Sequence, residues 1–236
     1  MRYLNSYKIY ENKNDIASIC RKYYIQNYTI RPDGLVDVDG GVNLYSKGIT
    51  ELPLKFGIVT GGFLCSYNQL KSLEGAPSET GGDFDCSHNV ITSLEHCPSE
   101  VGDDFWCNNN ELTSLKGAPE EVGGVFYCNE NKITSLEYCP SKVRSGFNFR
   151  NNQITSLEHC PSQINGNFYC DGNPVNYLIP SFSGSREKNK FVELFNDADI
   201  IQDDTIIYDR LVWFYEEIGI QLPNIDEIGK HYTIIR

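Results

Sequence analysis

Phe84-Asp-Cys-Ser-His-Asn-Val-Ile-Thr-Ser-Leu-Glu-His-Cys-Pro-Ser-Glu-Val-Gly-Asp-Asp104 is followed at once by Phe105-Trp-Cys-Asn-Asn-Asn-Glu-Leu-Thr-Ser-Leu-Lys-Gly-Ala-Pro-Glu-Glu-Val-Gly-Gly-Val125. The two stretches agree at Phe, Cys, Asn, Thr, Ser, Leu, Pro, Val and Gly, with a period of 21 residues. Working outward, the same period places Cys65, Cys86, Cys107, Cys128 and Cys170 in one column, with Phe149 on the missing rung. Phe63, Phe84, Phe105, Phe126, Phe147 and Phe168 precede that column by two residues, and Asn68, Asn89, Asn110, Asn131, Asn152 and Asn173 follow it by three. A Leu column from Leu73 to Leu178 and a Pro column from Pro77 to Pro161 complete the unit, and a degenerate first copy runs Val42, Leu44, Lys47, Ile49, Leu52. About seven coils result. The Phe-x-Cys step alternates by two, so Phe and Cys face a core and the residue between them faces out. The Asn is placed to satisfy backbone groups where the chain leaves the strand, because buried amides do not go unpaired. Gly-Gly supplies a tight turn and Pro an extended outer segment.

The unit resembles the leucine-rich repeat, with Phe and Cys at two strand positions usually held by Leu. The resemblance covers residues 38–178 and implies a solenoid with a parallel β-sheet arc. More narrowly, the chain is similar to the leucine-rich-repeat proteins of large tailed bacteriophages, through Tyr7-Lys-Ile-Tyr-Glu11, Asp37-Val-Asp-Gly-Gly-Val42, Ile49-Thr-Glu-Leu-Pro53 and the later repeats. That implies a protein acting in the bacterial host cytoplasm. It also resembles, more distantly, the repeat arm of type III effectors with ubiquitin-ligase activity. Those carry a nucleophilic Cys after the repeats, whereas residues 181–236 contain none, so the activity does not carry over.

The chain has 236 residues, 32 acidic against 20 basic, and a formal charge of −12. A surface of that sign repels phosphate backbones and anionic headgroups, which argues against nucleic-acid and membrane partners. No apolar run reaches the roughly 18 residues of a membrane span, and the N-terminus lacks a signal-peptide core. A solenoid cannot bury its own ends, so the flanks are expected to be caps. Residues 1–37 read as a helix beginning at Asn14-Asp15, with Ile16, Ile19, Cys20 and Tyr23 on one face, then a hairpin from Tyr28 to Val38. Residues 38–180 are the solenoid. Residues 181–236 read as a mainly helical cap: a polar loop Ser181–Ser185, a helix through Phe191, Leu194 and Phe195, another from Leu211 to Ile218, and a strand at 232–236.

Recognition is expected on the concave sheet face. Its central column includes Leu64, Asp85, Trp106, Tyr127, Asn148 and Tyr169, and its flanks add Asp83, Asp104, Asn108, Asn129 and Arg150, then Tyr67 and His88. Core packing does not call for Trp or Tyr at outward positions, and interface anchors are rich in Trp, Tyr and Arg; aromatic cover for the sheet is the plainer alternative. The acidic side chains of Asp83, Asp85 and Asp104 fit a partner with a basic or mixed surface, or a hard cation, or only a solvated patch. The nine cysteines are odd in number and read mainly as core filling, so neither a disulfide framework nor a metal is expected; Cys139, Cys160 and His159 lack a fourth zinc ligand.

The Thr92, Thr113, Thr134, Thr155 column resembles an ice-binding array but lacks a paired Thr column, which favours a turn ladder. No phosphate loop, nucleophile elbow or metalloprotease helix is present, so the expectation is no catalytic residue, no cofactor and no enzyme. The leading reading is a phage-encoded, non-enzymatic module that binds a host protein, in a role of counteracting host defence. The alternatives are a sponge for a nucleotide immune signal, with stacking rings but only Arg150 as a forked donor, and a packaged virion protein, suggested by the resemblance of Ile9-Tyr10-Glu11 to a head-maturation cleavage site.

Overall fold

A computed structural model describes residues 15–161, 163–179, 185–202 and 205–235. Tyr7–Glu11, including the Ile9-Tyr10-Glu11 stretch, and Asn14 lie outside the described residues, as do 181–184 of the expected polar loop.

The repeats form two short strands per coil, and like strands of successive coils pair in parallel, so the chain is a β-solenoid of the leucine-rich-repeat kind. One sheet has seven strands, Val42–Asn43, Phe63–Leu64, Phe84–Asp85, Phe105–Trp106, Phe126–Tyr127, Phe147–Asn148 and Phe168–Tyr169, paired in that order. Its register sets Phe on Phe and outward residue on outward residue: Asp85 opposes Trp106, and Trp106 opposes Tyr127. Seven rungs thus enclose six 21-residue intervals. The second sheet has eight strands, among them Phe56–Val59, Glu79–Thr80, Glu100–Val101, Glu121–Val122 and Lys142–Val143. It occupies the segment after each Pro that the sequence marks only as extended. The Gly pairs stand at the bend between the two sheets. A Cβ at Gly102 or Gly123 would collide with the carbonyl oxygen of the glycine one coil earlier, so the close approach of the coils requires glycine there.

Between the sheets the core is built of columns. Phe63, Phe84, Phe105, Phe126 and Phe147 are fully buried, with neighbouring ring centroids 5.4–5.6 Å apart. Cys65, Cys86, Cys107 and Cys128 pack beside them, each fully buried, and the Leu column and the prolines close the coil. Burial pushes the four thiols well up from the ordinary range, which makes them small apolar fillers. Among the buried polar side chains, Asn89, Asn110, Asn152 and Asn173 form one column. Each donates through Nδ2 to carbonyls of its own and the preceding coil and accepts a backbone N–H of the preceding coil, as Asn89 does from Leu70 at 2.9 Å and to Cys65 at 3.1 Å.

The turn ladder expected of Thr belongs to the next column. Ser72, Ser93, Ser114, Ser135 and Ser156 accept the N–H two residues on through Oγ at 3.0–3.1 Å, while Thr92, Thr113 and Thr134 are exposed.

At the N-terminal end a helix through 15–22 buries Ile16 and Cys20, and the hairpin Tyr28–Ile30 with Val36–Val38 follows. The hairpin is more than a separate lid: Val36–Val38 pairs in parallel with Phe56–Val59, so it forms the first two strands of the eight-stranded sheet. At the other end, helices Ser185–Asp197 and Tyr208–Glu217 bury Phe191, Phe195, Leu211, Phe214 and Tyr215. Leu194, read from the sequence as inward, is 37% exposed because Val192 takes the inward place. This cap also holds a three-stranded sheet, Ile201–Gln202, Thr205–Ile207 and Thr233–Ile235. It is tied to the solenoid by Tyr232 Oη donating to Thr155 O at 2.7 Å and Asn196 Nδ2 donating to Leu157 O at 2.9 Å.

Candidate functional site: the outward face of the seven-stranded sheet

Because the register is exact from coil to coil, the outward residues form straight rows across the rungs. The central row brings together Leu64, Asp85, Trp106, Tyr127, Asn148 and Tyr169. Trp106 is 37% exposed and meets Tyr127 edge-on, with ring centroids 5.1 Å apart. Two rungs on, the Arg150 guanidinium lies 4.2 Å from the Tyr169 ring centre, and its Nε donates to Asp171 Oδ2 at 2.6 Å. The phenol of Tyr127 is held above its ordinary pKa, first by burial and then by the charge of Asp104 and by Tyr169, so it stays a neutral hydroxyl.

A second aromatic group arises from backbone geometry. In every coil the residue before the Asn adopts a left-handed conformation, with φ of +56° at Tyr67, +51° at His88 and +54° at Asn109. That turn costs a non-glycine residue roughly 1–2 kcal/mol. It sets Tyr67 and His88 face to face at 4.1 Å, and Tyr45 continues the run at 5.3 Å from Tyr67.

The acidic trio takes a different role from the one its charge suggests. Asp85 accepts from Ser66 Oγ at 2.6 Å, Ser87 Oγ at 2.6 Å and Ser87 N at 3.0 Å. Asp83 accepts the Asp104 N–H at 3.0 Å, and Asp104 in turn accepts the Val125 N–H at 2.6 Å. These carboxylates therefore tie coil to coil. Hydrogen bonds to a carboxylate are among the stronger ones, so these ties hold the bend of each coil to its neighbour.

The three Asn side chains are half-buried. Asn108 donates to Asn109 Oδ1 at 2.9 Å and leaves its own Oδ1 buried with no hydrogen-bond partner, and Asn148 accepts the Arg150 N–H at 3.2 Å.

One surface escaped the sequence reading. The outward positions of the eight-stranded sheet stack Glu79, Glu100 and Glu121 in register along a groove of ≈ 990 Å³. Glu121 is held below the usual carboxylate range by Lys142 at 2.5 Å, then by Arg144 at 3.8 Å. The signal in the sequence is the Glu-Val pair at Glu100-Val101 and Glu121-Val122, 21 residues apart. Among the described residues no group of three His, Cys, Asp or Glu is arranged to hold a metal, and no helix is long and apolar enough to cross a membrane. Cys139 and Cys160 do stand on neighbouring coils, yet burial raises the Cys139 thiol, which disfavours the thiolate a zinc ion needs.

Comparison with known proteins finds no match: no family model, no curated protein and no solved structure is similar to this chain at a significant level.

Proposed function

We propose that the chain is a non-enzymatic binding module that holds a protein partner against the outward face of its seven-stranded sheet. Following the resemblance to phage repeat proteins, the partner is a protein of the bacterial host and the outcome is interference with host defence. The observation that carries the reading is the Trp106–Tyr127 pair, two large rings set edge to face on adjacent rungs with the indole exposed. The core does not need them there, and a paired Trp and Tyr on a rigid sheet offers a large apolar contact at small entropic cost. Beside the rings, the carboxylates are already bonded to backbone and Ser, which suits a surface that presents charge without moving.

The test is capture from bacterial lysate on the immobilised chain, compared with Trp106→Ala/Tyr127→Ala. Specific partners present with the parent and lost with the double variant support the reading; survival of every captured partner removes it.

A further inference from the structure

One column of the repeat is not dictated by packing. At the turn before each proline the coils carry Ala76, Cys97, Ala118, Cys139 and Cys160, so a methyl group serves the position as well as a thiol does. Cys139 and Cys160 are neighbours in this column, whereas Cys97 stands between two alanines. Both are thiols that are half-buried at the surface, unlike the fully enclosed rung thiols of Cys107 and Cys128.

The two turns are copies of each other. Tyr138 and His159 take left-handed φ of +66° and +62°, and the N–H groups of Cys139 and Cys160 donate to Leu136 O at 2.9 Å and Leu157 O at 3.0 Å. Three residues on, Lys142 and Gln163 pair in register. Equal turns one coil apart set the two Cα atoms about 4.8 Å from each other with parallel Cβ bonds, inside the roughly 4.4–6.8 Å that a disulfide spans. The Cβ atoms must close by roughly 0.3–1 Å to reach bonding geometry. Each of these amides bonds within its own turn rather than to the next coil, so the closure leaves the sheet ladder intact.

We propose that Cys139 and Cys160 form a thiol–disulfide exchange site, which a low-molecular-weight disulfide closes into a reversible clasp between the fifth and sixth coils. One cysteine thiolate attacks the small disulfide, breaks its S–S bond and releases one small thiol. The neighbouring thiolate then attacks the cysteine sulfur of the mixed disulfide and expels the second. Two cysteine thiols and one small disulfide thus become one protein disulfide and two small thiols. Burial, then the charges of Cys128 and Cys160, raise the Cys139 thiol, so the exchange is slow at neutral pH and quickens as pH rises. The clasp adjoins the attachment of the C-terminal cap, since Tyr232 and Asn196 donate to Thr155 O and Leu157 O on the coil of Cys160. Closing it constrains the unfolded chain, so the oxidised protein resists denaturant better.

The experiment treats the intact folded chain with oxidised glutathione at mildly alkaline pH, alkylates the remaining thiols and maps tryptic peptides without reduction. The expected product joins peptide 133–142 to peptide 151–186 through Cys139 and Cys160, and dithiothreitol cleaves it. The urea midpoint should shift upward on oxidation and return on reduction. Cys139→Ala and Cys160→Ala give each turn the residue that Ala76 and Ala118 already supply, so both variants keep the fold. Each should lose the link and the shift and retain a glutathione adduct on the remaining cysteine. Absence of the link, a link through Cys128 or Cys170 instead, a lasting glutathione adduct on both cysteines of the parent, or a midpoint that the link leaves unmoved overturns the inference.

Discussion

Asn110 Oδ1 accepts the backbone N–H of Ile91, one coil earlier, at 3.0 Å. The same side chain donates to Cys86 O at 3.0 Å and to Cys107 O at 3.2 Å, so one amide bridges two coils at three points. Asn110→Ala strands a buried donor and two carbonyls, and a buried group left unsatisfied costs about 1–3 kcal/mol. The expected loss is therefore about 3 kcal/mol or more by denaturant titration. Asn110→Asp, which keeps the acceptor but not the donors, should fare little better.

Thr80 Oγ1 is buried with no hydrogen-bond partner, and Thr80 stands in a column otherwise made of Val59, Val101, Val122, Val143 and Ile164. Thr80→Val preserves shape and removes the unpaired hydroxyl. It should raise stability by about 1 kcal/mol, seen as a higher denaturation midpoint with an unchanged slope.

Asp85 looks like a recognition residue and works as a structural one. Ser66 and Ser87 are 1% and 2% exposed, and both give their hydroxyl protons to it. Asp85→Ala should cost about 2 kcal/mol through the orphaned hydroxyls. By contrast Trp106→Ala should cost no more than about 1 kcal/mol, the value of an exposed aromatic pair. Thermal melts of the two variants side by side separate the roles.

The buried thiols make the fold alkali-sensitive. Burial raises the thiols of Cys65, Cys86, Cys107 and Cys128 above the ordinary range, and that of Cys170 to about 12. The unfolded chain then releases these protons first, so stability is fully present below pH ~8.5 and falls as pH rises beyond it. Each ionising thiol contributes up to about 1.4 kcal/mol per pH unit. Urea midpoints measured from pH 7 to pH 10 should drop steeply above pH ~8.5, and Cys86→Ala/Cys107→Ala should flatten the drop. A pH-independent midpoint would contradict the buried ladder.

Much of this was legible because a 21-residue period copies one local solution many times. Phe, Cys, Asn, Leu and Pro each appear in enough coils to expose their columns, and the face residues follow from alternation alone. The second sheet was hidden because Glu100–Val101 and its neighbours are short and, unlike Phe-x-Cys, show no alternation, with a single inward residue before the glycine bend. The strand pair Ile201–Gln202 and Thr205–Ile207 escaped for the same reason, although two apolar pairs flank Asp203-Asp204 in the sequence. What became of Asp83 and Asp104 was not legible at all, since it depends on a backbone N–H being turned toward the preceding coil at the bend. His88 beside Tyr67 needed the left-handed turn that no side-chain pattern announces.

In the seven-stranded sheet every coil hands its amide hydrogens to the carbonyls of the next, as Phe63 N does to Asp83 O and Phe84 N to Asp104 O. A hydrogen-bonding scheme identical from rung to rung is indifferent to how many rungs there are. Duplicating or deleting one 21-residue unit between the caps would leave the backbone bonding scheme intact and change the length of the sheet by a single step of about 4.8 Å. The protein thus has, in its DNA copy number of one unit, a ruler: selection can lengthen or shorten its reach in whole notches without redesigning either end.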